Sequence, residues 1–140
     1  MNIKQKKYLT NWLFAGIFLI SIIIIVGGIT RLTDSGLSMV DWSPSGSIPP
    51  LNKNEWQIEF DKYKEFPEYQ KINQGMLLSE FKRIFFWEYL HRMLGRLLGL
   101  VFIIPFMIFL FRGWLPKKQK KQFFILLFLG GLQAFFGWYM

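Results

Sequence analysis

The sequence predicts an all-α membrane protein with three transmembrane helices and a long extracytoplasmic loop. Three observations carry that prediction. The 140 residues are 52% hydrophobic and 19% aromatic, with 16 Phe and 6 Trp, which is too apolar for an ordinary soluble domain. The excess is gathered into three runs, residues 12–29, 85–111 and 123–140. The basic residues flank those runs instead of spreading evenly along the chain.

The first run, 12–29, carries no charge. At about 18 residues it makes about 27 Å of helix, roughly one hydrocarbon core. Lys4, Lys6 and Lys7 precede it, as in a signal peptide. The run exceeds a typical signal core, however, and Gly27 to Arg31 is a poor small-residue cleavage site, so it reads as a span. The polar stretch from Thr30 to Ser38 is expected to turn at the outer surface after Gly27 and Gly28, with Gly36 taking a positive φ. Pro44, Gly46, Pro49 and Pro50 keep the next segment irregular.

A helix follows. Asn52 is placed to cap it with Glu55 three residues on, Trp56, Phe60 and Tyr63 recur at helical spacing, and Pro67 stops it. Its polar face is acidic as well as basic, so its apolar face is expected against the protein and not the bilayer. The next helix is predicted to start near Leu78 or Ser79 and to carry the second run, with Pro105 a candidate kink. Its first half holds Glu88, His91, Arg92 and Arg96, and the charge-free remainder, 97–111, is too short to span alone. Those polar turns must lie near one membrane face or be shielded by other helices. The last run, 123–140, has its own small pair, Gly130 and Gly131, and an aromatic ending at Trp138 and Tyr139 suited to an interface.

The net charge of +8 has a topological explanation. The loop at 112–122 holds Arg112, Lys117, Lys118, Lys120 and Lys121 with no acid, whereas the segment 30–83 balances seven basic against eight acidic residues. The positive-inside rule puts the N-terminus and the 112–122 loop in the cytoplasm and 30–83 outside, as expected of a multi-pass membrane protein with lipid as its first partner. Nucleic acid explains the charge less well, and no nucleic-acid partner is expected. Cysteine is absent, which excludes disulfides, thiolate metal sites and a cysteine nucleophile.

Chemistry is concentrated at Glu88, His91 and Arg92. His91 is the only histidine, and a spacing of three puts it about one helical turn from Glu88 on a shared face. Ionisable side chains inside a span cost about 2.5–3.5 kcal/mol near its centre, so they usually have a purpose. For His91 three readings stay open: a buried imidazole hydrogen-bonded to a neighbour, a ligand of haem iron or another metal, or a proton relay. Glu88 either pairs with Arg92 at i+4 or points with His91 and handles protons. Arg92, Arg96 and Arg31 either snorkel to the interface or hold acidic groups with their forked guanidinium ends. Gly95 and Gly99, on the face of His91, leave room for a neighbouring helix or a flat ligand.

Four pieces of sequence, in order, make the chain resemble the haem A synthase family of cytochrome oxidase assembly proteins. They are residues 27–38 (GGITRLTDSGLS), Pro49, Pro50 and Leu51 with Pro67 to Gln70, residues 80–96 (EFKRIFFWEYLHRMLGR), and Gly130 to Gln133 with Gly137 onward. The resemblance implies a membrane enzyme of two four-helix halves that oxidises a ring methyl of haem O to the formyl of haem A. It makes this chain part of a four-helix half-bundle, with His91 the axial ligand of the substrate haem. Glu88 corresponds to the family's essential glutamate, and Arg92 is a candidate contact for the haem's acid side chains. The resemblance also implies haem b in the other half. Partner histidines on later helices are absent here, so a second ligand is expected from the missing C-terminal half or another copy, and the chain alone is expected to be inactive. The rival reading is a stand-alone, non-catalytic haem-binding or oxidase-assembly subunit; a third is a small protein moving protons through Glu88 and His91 without haem.

Overall fold

The computed structural model describes residues 1–40 and 48–139. Pro44 and Gly46, expected in an irregular segment, and the terminal Met140 lie outside the described residues. The described elements are all helices: α1 (Ile3–Leu32), α2 (Lys53–Lys64), α3 (Pro67–Lys71), α4 (Leu78–Phe111) and α5 (Lys117–Tyr139). The three apolar runs lie in α1, α4 and α5. Among the described residues α1 and α4 are long and apolar enough to cross a membrane. The described part of α5 dilutes its apolar residues with a basic first turn, Gly130, Gly131 and Gln133. Phe14, Phe18, Ile24 and Ile25 of α1 and Leu100 and Ile104 of α4 are exposed. Exposed apolar side chains of that kind suit contact with lipid chains.

The chain divides into two compact units, Met1–Ile20 with Arg96–Met140, and Ser21–Gly95. The core of the first is aromatic: Leu9, Trp12, Phe106, Phe109, Leu115 and Phe123 are buried together. Pro105 lies inside α4 without ending it. Proline has no N–H, so the carbonyl four residues earlier, Val101, loses its helical partner. The indole N–H of Trp12 donates to that carbonyl at 2.7 Å, and its ring meets Phe102, Phe109 and Phe123 at centroid distances of 5.4, 5.4 and 5.1 Å. One side chain thereby satisfies the helix defect and fills the core beside it.

In the second unit α2 forms as the sequence predicts. The Asn52 side chain accepts from the backbone N–H of Glu55 at 2.9 Å, and the Glu55 carboxylate accepts from the Asn52 amide and the Leu51 N–H, both at 2.7 Å. That capping box stabilises the helix by about 1 kcal/mol. Trp56, Phe60 and Tyr63 face α4, where their rings meet Phe81 and Phe85, so the apolar face of α2 lies against protein. Burial pushes the Tyr63 phenol above its usual range, opposed by the hydrogen bond it accepts from Asn73. Pro67 does not stop α2, which ends at Lys64; it opens α3, where its fixed φ suits the first turn.

The end of α1 also departs from expectation. The helix runs through Gly27 and Gly28 to Leu32, and the positive φ falls on Asp34 (48°), not on Gly36. The Asp34 N–H points back to the Arg31 carbonyl (3.4 Å) and the Ser35 N–H donates to Thr30 (2.9 Å). This is the Schellman pattern, with aspartate in the left-handed position that its short polar side chain tolerates.

Candidate functional site

The turn after α1 carries residues 35–39 back onto the N-terminal part of α4. Ser35, Ser38 and Met39 are buried there, and so is Glu88, with 3% of its surface exposed. A carboxylate removed from water needs its oxygens satisfied. One oxygen of Glu88 accepts from the Ser38 hydroxyl at 2.6 Å and from the Met39 N–H at 2.8 Å. The other pairs with the Arg92 guanidinium one turn along. The Ser38 hydroxyl also lies 3.2 Å from the Ser35 carbonyl. Glu88 therefore ties the turn after α1 to α4, and Arg92 is engaged with it.

His91 sits one turn from Glu88, half-buried against α1. A Cβ added at Gly27 would lie 3.1 Å from its Nε2 and 3.5 Å from its Cδ2. Glycine is what lets the imidazole rest there. No described residue hydrogen-bonds either ring nitrogen. Beside it on α4, a Cβ at Gly95 would have nothing within 4 Å. An unclaimed imidazole in a glycine cradle, next to an open glycine position, fits one axial position of a haem. The 140 residues hold a single histidine, so histidine could supply at most one such ligand here. Among the described residues no three of His, Cys, Asp and Glu gather as a bare metal site.

The sequence brought Glu88, His91 and Arg92 together correctly on one stretch of helix. It missed Ser38 and the Met39 N–H as the other partners of Glu88, and Gly27 as the seat of His91. Both Gly27 and Ser38 stand in the first of the four family-like pieces, which was the available signal.

Over residues 10–140 the chain matches the family described as cytochrome oxidase assembly protein. The chain belongs to that family. Its relatives include the heme A synthase of Rickettsia bellii, 50% identical over 137 residues, which covers 97% of this chain and 41% of that one. The heme A synthase of Flavobacterium psychrophilum is 50% identical over 140 residues, or 98% and 41% of the two chains. That of Bradyrhizobium diazoefficiens is 48% identical over 130 residues, or 92% and 36%. The chain thus spans about two-fifths of the length of these relatives, corresponding to their N-terminal part. No solved structure matches it. Membership of the cytochrome oxidase assembly family, with two helices apolar enough to cross a bilayer, supports a membrane-associated protein.

Proposed function

We propose that this chain forms the substrate-haem half of a haem A synthase, in which the ring methyl of haem O is oxidised to the formyl of haem A. The observation that carries the reading is a buried carboxylate, fixed by Ser38, Met39 and Arg92, one turn from an imidazole seated on Gly27. His91 would hold the haem iron, and the bound haem would supply the oxidising centre, with the Glu88 carboxylate one helical turn from the imidazole. Oxidation of a methyl group releases protons, and a carboxylate held within reach receives or relays them. Ser38 and Arg92 orient Glu88 for that work.

The second axial ligand and the haem b site belong to the remaining part of the enzyme, whether continuous with this chain or separate. We place the protein in the inner membrane with three spans, about residues 12–29, 85–111 and 123–140. The N-terminus and the 112–122 loop are cytoplasmic and 30–83 is outside, as one half of a four-helix unit. Co-expressing the chain with the C-terminal portion of a related synthase, in cells making haem O, is expected to yield haem A, and either part alone is expected to yield none. Haem A from this chain alone, or none from the pair when both are present in the membrane, contradicts the proposal.

A further inference from the structure

An open cavity of about 550 Å³ lies within the second unit, lined among others by Thr33, Asn73, Gln74, Glu80, Arg83 and Trp87. We infer that this cavity is a carboxylate subsite, in which Arg83 holds an acid side chain of the porphyrin ligated by His91. The inference rests on the proposed function above and names the group that orients the substrate.

Placement is the first argument. Trp87 and Ile84, four and seven residues before His91, share its face of α4, and both line the cavity. Arg83 flanks that face, about 12 Å from His91 along the helix axis. The extended arginine arm and the acid chain of a porphyrin reach toward each other over that span. The cavity therefore lies along the side of α4 on which the imidazole is presented, displaced toward the outer end.

Charge is the second. Acid groups of a bound porphyrin need a cation or strong donors, and arginine meets a carboxylate with two parallel N–H bonds. Arg92, the nearer candidate, already pairs with Glu88. No described residue pairs with Arg83, which is exposed into the cavity. Glu80 is the one acid in the lining, and its carboxylate accepts the Leu77 N–H at 2.8 Å, committed to the start of α4. The Gln74 amide and the Thr33 hydroxyl add neutral polar groups to the wall. The lining thus offers a guanidinium without a partner and a mouth open to water, where one acid group docks and the other remains solvated.

The test compares binding of iron protoporphyrin and its dimethyl ester to the full purified chain, followed by the Soret band. The chain is expected to prefer the free acid about tenfold, as for one charge-assisted contact near solvent. Arg83→Gln is expected to bind both forms equally, at the ester's affinity. Gln74→Glu, which puts a second acid in the cavity, is expected to weaken the free acid and leave the ester unchanged. A preference for the free acid that survives in Arg83→Gln, equal weakening of both forms, or no preference in the parent chain overturns the inference. In those cases the proposed function stands if His91→Ala still abolishes the band. Absence of any Soret band in the parent chain overturns both.

Discussion

Glu88→Gln is expected to leave haem bound and to lower haem O oxidation in the assembled enzyme by about 10²–10⁴-fold, the usual range for a lost acid–base group. The amide keeps the shape of the carboxylate but has one acceptor where Glu88 has two. If that oxygen stays with Ser38 and the Met39 N–H, the new NH₂ faces the Arg92 guanidinium, donor against donor. Arg92 keeps 22% of its side chain exposed and can turn toward solvent, so the local cost is about 1–3 kcal/mol and the fold survives. A carboxylate with a purely structural role behaves differently, because the substitution then lowers haem content and oxidation together. Haem retained with oxidation unchanged reduces Glu88 to a tie between the 35–39 turn and α4. The measurement is haem A formed per bound haem, in membranes holding the chain with the rest of a synthase.

The second large effect is expected at Gly27. Alanine there brings a methyl group 3.1 Å from Nε2 of His91, and the ring yields by a few tenths of an ångström. Valine has no such tolerance, because its branched side chain is stiff in a helix and extends further toward the ring. Gly27→Val is expected to displace the imidazole and to weaken haem binding at least about tenfold, or more than 1.4 kcal/mol. The helix itself gains: replacing a mid-helix glycine by alanine is worth about 1 kcal/mol of propensity. Gly27→Ala should therefore raise the melting temperature of the chain while leaving haem binding equal or weaker. Full haem affinity in Gly27→Val contradicts the view that this glycine exists to seat the ring.

Local signals in the sequence were sufficient for several features. The capping box at Asn52 and Glu55, the start of α4 at Leu78 and the Glu88–Arg92 pair each depend on residues three or four apart, where spacing fixes proximity. What the sequence hid is non-local. Ser38 and Glu88 are 50 residues apart, and Trp12 and Val101 are 89 apart, so only the packed chain reveals that they meet. Pro105 advertised a kink; that a tryptophan from α1 would satisfy the carbonyl it frees has no local signature. The turn after α1 failed for another reason. Asp34 and Gly36 both accept a positive φ, and the choice depends on the helix ending at Leu32. Hydropathy does not set that point when glycines precede it. At the site, the family-like piece 27–38 pointed to the right stretch without saying which atoms it presents.

The central claim is that His91 binds haem iron, and one titration tests it most directly. Adding haem to the purified 140-residue chain is expected to give a Soret band at a fixed stoichiometry that is lost in His91→Ala, with helical content unchanged. A band of equal strength and affinity in His91→Ala, or none in the parent chain, contradicts the account.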